Sequence, residues 1–542
     1  MLRLYDVLRN NARHLGSHTA LVMGAEHVTY GDLYERAEAI RNGLDERGLA
    51  AGSRVAVMSR HAVDFVALYF AVAASGITMV PLNYWHREGE QREVLGIAKP
   101  DLIVCEAEFE VQIGPLAAEL GISLVVVSDG DHTDGAVSPR WTALYGARGE
   151  DTGGRGIVDA AAASPHMMIF TSGTTGTPKA ALLSEARTVE SAYGMSLALG
   201  LRRDDIYIDC FRTFHSGSWD HLKLYFLVGA AVVLVRDFDA GTVIEKMERE
   251  RVTVVLAGGT MLRLFMDSEP FEKANLSSLR LVYAGAYADG TGLADEFMAQ
   301  LRQHNPDVEF AATYGLTEFG PYVTLMTPEE VPLNPTAVGR PIPGVRVELI
   351  DDSGDVVPLG TAGEIVAFGP SFDGYLDRPE ATSDARLGDG LRTGDVAIED
   401  EYGFFTIVDR KKDIVRSGAH NIFSAQVEAC LTGHSAIAEV AVVGVPDPVL
   451  AETVCAVVVL ANGQSESDPD TISASIQQHV RLQLAGYNVP KFVVATKELP
   501  RNSNGKVLKR ELRDALRDMP TTGEVVNAIV VPLWVSRGEA DV

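Results

Sequence analysis

The chain has 542 residues, more than one ordinary domain holds, so we expect at least two domains. Its 74 acidic and 47 basic residues give a net charge of −27, which argues against nucleic-acid binding through bulk charge. The four cysteines are scattered without a C-x-x-C pair, and no apolar run reaches transmembrane length. We therefore expect a cytoplasmic protein that has no disulfide bonds, no zinc site and no membrane-spanning segment.

Strand-like and helix-like segments alternate through the first part of the chain. Apolar residues at helical spacing follow Tyr30, a strand is predicted over residues 53–59, and a helix over about 62–74. The alternation returns after residue 200, with strands such as TVVLAG and LRLVYAG and a helix over about 294–302. Strands that alternate with helices predict parallel βαβ units and an α/β fold.

The segment TSGTTGTPK, residues 171–179, follows an apolar run that reads as a strand. Ser184 is the predicted N-cap of a helix, so we expect a strand, a polar loop and then a helix. Such a loop suits an anion, because Gly173 and Gly176 let backbone N–H groups approach phosphate oxygens and Lys179 adds positive charge. The Walker A spacing is absent. A solvated polar linker is the alternative, but it explains neither the strand nor the lysine.

The pattern of predicted elements changes in the C-terminal part of the chain. Short strand-like pieces separated by Gly, Pro and Asp predict a small β subdomain over residues 332–409. The charged segment DRKKD, residues 409–413, precedes a small α+β module that ends near residue 519. In the tail, residues 520–542, the run AIVVPLWV is predicted to be an added strand or a docking segment.

Five segments in order resemble the acyl-adenylate-forming superfamily, which includes acyl-CoA synthetases, peptide-synthetase adenylation domains and luciferases. They are TSGTTGTPK (171–179), ATYGLTE (312–318), RTGDV (392–396), DRKKD (409–413) and LPRNSNGKVLKREL (499–512). The chain most resembles the acyl-CoA synthetases, or fatty-acid–CoA ligases, over nearly its whole length apart from the tail. The resemblance implies a large N-terminal adenylating domain (1–409) of βαβ layers plus the small β subdomain. A hinge (410–413), a mobile α+β lid (414–519) and the extra tail (520–542) would follow.

The resemblance also implies a reaction. ATP would activate a carboxylic acid as an acyl-AMP with release of pyrophosphate, and the acyl group would then pass to the thiol of CoA. Activation is needed because a carboxylate has no good leaving group, and the enzyme's work is mostly positioning and charge stabilisation. In so acidic a chain, any ATP or CoA site must be locally basic.

By the same resemblance, ATP-binding roles fall on these residues: Thr171, Ser172, Gly173, Thr174, Thr175, Gly176, Lys179, Gly285, Ala286, Thr313, Tyr314, Gly315, Asp395 and Arg410. Tyr314 would stack near adenine, and Asp395 and Arg410 would contact the ribose. The alternatives are ordinary turns and exposed charge runs. The sequence departs from the usual family pattern at Ala180 and Glu185, and we expect this departure to alter the rigidity of the phosphate loop and not its chemistry.

The catalytic candidates implied by the resemblance are Thr317, Glu318, His215 and Lys506. Glu318 would coordinate Mg²⁺, which prefers oxygen ligands, and Thr317 would touch phosphate. Lys506 would reach the substrate carboxylate and the α-phosphate during adenylation and leave when the lid rotates about Lys412. For Glu318 the alternative is a surface glutamate in a tight turn.

The segment FRTFHSGSWDH, residues 211–221, aligns with the lining of the acyl pocket, and the candidate pocket residues are His215, Ser216, Trp219, Asp220 and Gly315. His215 is a proton-shuttle candidate, although a packed wall residue is the more frequent reading. Asp220, if it faced the pocket, would favour a substrate with an amine. We favour the alternative that Asp220 points to solvent or pairs with Lys223 or His221.

Four functional readings remain open, one of which, a luciferase-like oxygenase, has no discriminating feature in the sequence. The first is an acyl-CoA synthetase, which the aromatic pocket wall makes suited to a medium-sized apolar acid. The second is a free-standing enzyme that loads an acyl or amino acid onto a carrier-protein pantetheine. The third, an idle scaffold, is disfavoured by the intact set of charged candidates.

Overall fold

A computed structural model describes residues 3–127, 140–147, 165–171, 178–285, 292–320, 322–418, 420–461, 468–501, 507–517 and 532–537. The chain divides into two compact units. The first comprises residues 1–287, 293–347 and 366–392, and the second comprises residues 288–292, 348–365 and 393–542. The α/β class predicted from the alternation of strands and helices is confirmed. The predicted domain limits at residues 409, 413 and 519 stay predictions.

The strands of the described residues are, in chain order, β1 (Thr19–Met23), β2 (Glu26–Thr29), β3 (Arg54–Met58), β4 (Thr78–Pro81), β5 (Leu102–Glu106), β6 (Ser123–Val127), β7 (Pro165–Thr171), β8 (Lys179–Ser184), β9 (Ile206–Asp209), β10 (Ala231–Leu234), β11 (Val254–Ala257), β12 (Leu281–Gly285), β13 (Glu309–Tyr314), β14 (Thr324–Met326), β15 (Arg340–Pro341), β16 (Arg346–Ile350), β17 (Gly363–Phe368), β18 (Gly374–Tyr375), β19 (Arg386–Leu387), β20 (Gly390–Glu399), β21 (Phe405–Arg410), β22 (Val415–Ser417), β23 (His420–Ile422), β24 (Ile437–Asp447), β25 (Ala451–Leu460), β26 (Phe492–Thr496) and β27 (Pro532–Arg537).

The helices of the described residues are α1 (Leu4–His14), α2 (Tyr30–Glu46), α3 (Val63–Ser75), α4 (Glu88–Ala98), α5 (Ala107–Leu120), α6 (Glu185–Ala198), α7 (Ser216–Val228), α8 (Ala240–Arg249), α9 (Gly259–Met266), α10 (Leu293–His304), α11 (Pro379–Asp384), α12 (Ser424–Thr432), α13 (Pro469–Gln483) and α14 (Lys509–Leu516). None of these helices combines the length and the apolar character needed to cross a bilayer.

Two sheets with parallel centres form the first unit. One has the strand order β15-β14-β13-β12-β11-β9-β10-β1-β2, and the other has the order β18-β8-β7-β4-β3-β5-β6. Neighbouring central strands such as β12 and β13, or β3 and β4, run parallel, as crossovers through helices require. In consequence the carboxyl ends of several strands meet at one edge of each sheet, where α/β folds place their ligands.

Helix α3 shows how the core of this unit is built. Its residues Val63 to Ala73 are all buried, which suits a sequence that is apolar on every face of the helix. The single charge, Asp64, is satisfied by an ion pair with Arg36 at 3.1 Å and by hydrogen bonds from the Trp141 backbone and the Tyr145 hydroxyl. A buried carboxylate is tolerated because all its partners are supplied.

The surroundings of the phosphate-loop segment differ from the predicted strand, loop and helix. A second strand, β8, lies between the loop and α6, and it pairs antiparallel with β7, so that Thr171 faces Lys179. The prediction was wrong on this point because KAALLS is short and rich in alanine, which gives little strand signal. Ser184 does stand at the N-cap position, although its side chain makes no capping hydrogen bond.

Glu185, where the sequence departs from the family pattern, anchors the start of the chain. Its carboxylate accepts a hydrogen bond from the Leu4 backbone at 2.6 Å and pairs with Arg3 at 3.0 Å. This side chain is buried, so both contacts offset the cost of removing the carboxylate from water.

The second unit contains the sheet of the predicted lid, with the order β23-β22-β25-β26-β27 and β24 paired to β25. The apolar faces of β24 and β25 pack against α12 and α13. Residues 532–535 of the run AIVVPLWV lie in β27, which pairs antiparallel with β26, as the added-strand alternative predicted; residues 528–531 lie outside the described residues. An added strand covers backbone groups that an edge strand would otherwise leave open.

Candidate active site

Glu318 lies in one 3₁₀ turn, Thr317–Phe319, shortly after the end of β13. Its Oε1 accepts a hydrogen bond of 2.8 Å from the hydroxyl of Tyr375, and its backbone carbonyl accepts one of 2.7 Å from the Phe372 backbone. Strand β13 pairs in parallel with β12, which puts Thr313 opposite Gly285. The adenine-side candidates Gly285, Thr313 and Tyr314 therefore share one sheet edge, with Gly315 in the turn that follows.

Lys179 approaches the same place from the other sheet of the first unit. It opens β8 opposite Thr171, and its Nζ lies 5.0 Å from the centre of the Tyr375 ring, within cation–π range. The loop candidates Ser172, Gly173, Thr174, Thr175 and Gly176 lie outside the described residues. The structure describes the two ends of that loop, Thr171 and Lys179, and the Lys179 side chain points toward the Tyr375–Glu318 pair.

The N-terminus of α7 meets the Glu318 turn. The hydroxyl oxygens of Ser216 and Thr317 are 3.2 Å apart. His215 is the N-cap residue of α7, and its Nδ1 accepts a hydrogen bond of 3.1 Å from the Gly217 backbone. This contact assigns the hydrogen to Nε2, which leaves an N–H donor available. Burial, aided by Arg212, lowers the pKa of His215, so this ring is neutral at pH 7.

Asp220 and Trp219 point into the interior of the first unit. Asp220 forms a buried ion pair with Lys223, with 2.5 Å between Oδ1 and Nζ, which is the pairing favoured in the sequence analysis. Trp219 is 1% exposed and packs against Phe65 and Tyr69 at ring-centre distances of 4.2 and 5.2 Å. Neither side chain presents a free charge to a substrate.

In the second unit, Asp395 and Arg410 lie opposite each other on the paired strands β20 and β21. Their side chains form an ion pair of 3.0 Å, and the Asp395 backbone N–H is held by Thr393 at 3.1 Å. Asp395 is buried, while Arg410 is partly exposed. Lys412 follows in the turn after β21, where burial lowers its pKa. The two ribose candidates are therefore brought together by strand pairing.

Lys506 and Ala286 lie outside the described residues, so their assignments rest on the resemblance alone. Sequence reasoning missed Tyr375, which touches Glu318 across 57 positions. A local pattern carries no sign of such a contact. The Gly374-Tyr375 pair shortly before helix α11 gave no sign of this contact.

The donor set at Glu318 fits a magnesium ion. No cluster of three or more His, Cys, Asp or Glu side chains able to hold a metal occurs in the described part of the chain. Mg²⁺ bound with a nucleotide needs only one or two carboxylates, because phosphate oxygens and waters complete its shell. Glu318 has one oxygen bound to Tyr375, and among the described residues nothing bonds the other.

A basic cavity of about 90 Å³ lies elsewhere in the first unit and was not predicted. Arg60, Arg212 and Arg236 line it together with His61 and Trp85, and each of these residues follows the carboxyl end of a parallel strand. Arg60 and Arg236 both pair with the carboxylate of Glu108, and Arg60 also pairs with Asp237, which itself lines the cavity.

Arg212 differs from the other two arginines, because no carboxylate pairs with it among the described residues. Its guanidinium stacks 3.5 Å from the centre of the Trp85 ring, and burial lowers its pKa. The Nδ1 of buried His61 also has no hydrogen-bond partner in the described structure. Arg212 has a side-chain hydrogen bond with Tyr84 but no carboxylate partner in the described structure, and such a cation beside an unbonded polar atom suits an anionic ligand.

Comparisons with known proteins agree with this geometry. Residues 8–376 match the AMP-binding enzyme family, and residues 426–506 match the AMP-binding enzyme C-terminal domain. Feruloyl-CoA synthase from Amycolatopsis sp is 32% identical over 497 residues, 91% of this chain and 95% of that protein. The 2-succinylbenzoate–CoA ligase of Bacillus cereus is 29% identical over 507 residues, 92% of this chain and 96% of that protein.

The crystal structure of ATP-bound MatB from Rhodopseudomonas palustris superposes with a TM-score of 0.81 at 26% identity, covering 96% of this chain and all of that one (100%). The family match spans more than half of the chain and agrees with the ordered motifs. The chain belongs to the AMP-binding enzyme family, and it is an AMP-forming acid–thiol ligase that uses ATP, Mg²⁺ and CoA.

Proposed function

We propose that this enzyme makes the CoA thioester of a compact aromatic carboxylic acid that carries no amine. Two relatives that match along nearly their whole length are named for feruloyl and 2-succinylbenzoyl acids, both of which contain an aromatic ring. Phe211 and Phe214, on the segment before α7, are partly exposed and supply aromatic surface for such a ring.

The observation that carries the proposal is the ion pair of Asp220 with Lys223. An adenylating enzyme that selects an amino acid needs a carboxylate for the substrate ammonium group. Asp220 is the acidic residue of the pocket segment, and Lys223 already neutralises it at 2.5 Å. With His215 neutral as well, the described wall offers no charge to an amine. This counts against the amino-acid form of the carrier-protein alternative.

In the proposed reaction the substrate carboxylate attacks the α-phosphate of ATP and pyrophosphate leaves. Ser216 and Thr317 would donate hydroxyl hydrogen bonds to oxygens at this point, and His215 Nε2–H would orient the carboxylate. Glu318 would hold the magnesium ion, which when bound would supply positive charge next to the phosphate oxygens. Lys179 and, from the lid, Lys506 would supply further positive charge. The CoA thiol then attacks the acyl carbonyl and AMP leaves.

We assign the docking place of CoA phosphates to the basic cavity at Arg212 and Trp85. CoA carries phosphates on its nucleotide, and arginine is suited to phosphate by its planar array of donors. Arg212 lacks a carboxylate partner among the described residues, so a phosphate would relieve the cost of burying its charge. The site also meets the expectation of local basic character within a chain of net charge −27.

The acid class is tested by ATP–pyrophosphate exchange with matched acids. Cinnamate-type and benzoate-type acids should support exchange, whereas the corresponding α-amino acids should not. Exchange driven by phenylalanine in preference to cinnamate would overturn the proposal and favour the amino-acid reading.

CoA docking is tested with the variant Arg212→Ala and two acceptors, CoA and pantetheine, which lacks the nucleotide. The KM for CoA should rise about tenfold, as expected for loss of one charge-assisted contact. The KM for pantetheine and the exchange rate should be unchanged. The matched control is Arg263→Ala, a surface arginine paired with Glu296. An equal effect on CoA and pantetheine would contradict the assignment.

A carrier-protein pantetheine remains the alternative acceptor for a non-amino acid. Rapid acyl-AMP formation with no transfer to CoA would support it. We also propose a cytoplasmic location, because all four cysteines are free in the structure, as a reducing compartment favours.

A further inference from the structure

Tyr375 stands on β18, a two-residue strand that pairs antiparallel with β8. In this register Tyr375 lies opposite Ala181, two positions after Lys179. The same tyrosine therefore sits beside the phosphate-loop lysine by strand pairing and beside the Glu318 turn by its side chain. No step of the proposed reaction yet uses it.

Several contacts fix the position of this tyrosine. Its backbone N–H donates to Thr382 Oγ1 at 2.9 Å, and its ring meets the Phe372 ring edge-on at 4.8 Å. The preceding Gly374 has φ of 142°, and a Cβ there would come within 2.9 Å of Thr382 Cγ2. Gly374 thus has a backbone conformation that glycine adopts and other residues rarely do, and this conformation helps to fix the position of the Tyr375 ring.

The side chain makes two contacts of different kinds. Its hydroxyl donates to Glu318 Oε1 at 2.8 Å, and its ring face receives Lys179 Nζ at 5.0 Å from the centre. Among the described residues, neither Lys179 nor Glu318 has a partner of opposite charge. A direct Lys–Glu pair would neutralise both groups, whereas an intervening tyrosine leaves each charge available.

We propose that Tyr375 is a positioning residue that sets the Glu318 carboxylate for the metal and the Lys179 ammonium group for the nucleotide phosphates. This inference rests on the assignment of Glu318 to the metal in the proposed function. The hydroxyl fixes the carboxylate with one oxygen occupied and the other open, as partners of metal-binding carboxylates do. The ring holds Lys179 by a weak attraction that a phosphate can replace.

The alternative is a purely structural role, in which Tyr375 only packs between β8 and the Glu318 turn. The two roles differ in what the hydroxyl does. A packing residue loses little when tyrosine becomes phenylalanine, whereas a positioning residue loses its hold on the metal-binding carboxylate.

The first experiment measures Mn²⁺ binding by electron paramagnetic resonance in the presence of α,β-methylene-ATP, which cannot be cleaved to AMP. Tyr375→Phe should weaken Mn²⁺ binding about tenfold, in the range seen for such hydrogen-bond partners, and keep the thermal unfolding midpoint. Glu318→Gln should weaken it further. Tyr193→Phe, on the exposed face of α6, is the matched control and should bind Mn²⁺ as the parent does.

The outcomes separate the two claims. If Glu318→Gln leaves Mn²⁺ affinity unchanged, the metal assignment fails, and the inference fails with it. If Glu318→Gln weakens binding and Tyr375→Phe does not, the metal assignment stands and the inference alone is overturned.

A second experiment isolates the lysine contact by measuring ATP binding in EDTA, without metal. Tyr375→Phe keeps a ring and should leave this affinity unchanged, whereas Tyr375→Leu removes the ring and should weaken it about threefold. Equal affinity of the Phe and Leu variants would overturn the assigned role toward Lys179.

Discussion

Asp220 and Lys223 form an ion pair one turn apart on α7, with 2.5 Å between carboxylate and ammonium group and both side chains buried. Removal of one partner leaves an uncompensated buried charge. We therefore expect Lys223→Met to lower the free energy of unfolding by about 3–5 kcal/mol. Replacing both residues, as in Asp220→Leu with Lys223→Met, should restore most of the loss. Denaturant unfolding of the two single variants and the double variant measures this cycle.

The matched control is the exposed pair of Glu269 and Lys273, four positions apart on the surface. The same cycle there should show almost no coupling, because water screens exposed charges. Coupling at the buried pair no larger than at the surface pair would contradict the account of the pocket wall.

His166 gives the protein a predictable sensitivity to acid. Burial, aided by Lys223, lowers the pKa of His166 to about 3, against about 6.5 in an unfolded chain. Between these values the unfolded state binds a proton that the folded state does not, so the free energy of unfolding falls as pH decreases. The glutamine of the His166→Gln variant cannot take up this proton. The stability difference between parent and variant should shrink by about 2 kcal/mol from pH 7 to pH 5.

Denaturant titrations at the two pH values measure that difference. If the difference in the free energy of unfolding between parent and variant were the same at both pH values, the imidazole would take up its proton equally in the folded and unfolded states. The sign of the predicted change depends only on the direction of the pKa shift.

Asp395 is predicted to recognise the ribose of ATP together with Arg410. In Asp395→Asn the KM for ATP should rise about tenfold, since a hydrogen bond to a charged group is weakened. The parent should prefer ATP over 2′-deoxy-ATP, and the variant should lose this preference. Steady-state kinetics with both nucleotides test this, with the exposed Asp204→Asn as control. A variant that still discriminates between the nucleotides would place the ribose elsewhere.

Lys506 is expected to act in adenylation and not in thioester formation. Lys506→Ala should nearly abolish the formation of acyl-AMP from acid and ATP, because the developing charge loses a cation. The reverse of thioester formation, measured from acyl-CoA and AMP, should be much less affected. Equal and mild losses in both directions would remove the role that the sequence resemblance implies.

The sequence predicts local structure and motif order well, because both are written in spacing and residue type. The strand at Arg54–Met58 and the helix at Val63–Ser75 lie within one residue of the predicted bounds. Strand β8 was missed because its alanines give little strand signal. Its partner β7 fixes it through pairing, which is a property of the fold.

Contacts between distant segments are the part that sequence reasoning could not supply. Arg212, after β9, stacks on Trp85, after β4, and Tyr375 on β18 bonds Glu318, after β13; in both contacts the partners come from different sheets. The pairing of Asp220 with Lys223 could be anticipated, since residues three positions apart on a helix lie on the same face. Distance along the chain thus decides which parts of the site were predictable.

Mass spectrometry of the products formed from ATP, Mg²⁺, CoA and a mixed pool of aromatic, aliphatic and amino acids tests whether the enzyme makes CoA thioesters of aromatic acids. We expect AMP together with CoA thioesters of compact aromatic acids. Aminoacyl-AMP as the main product, with no CoA thioester of any acid, would contradict this expectation.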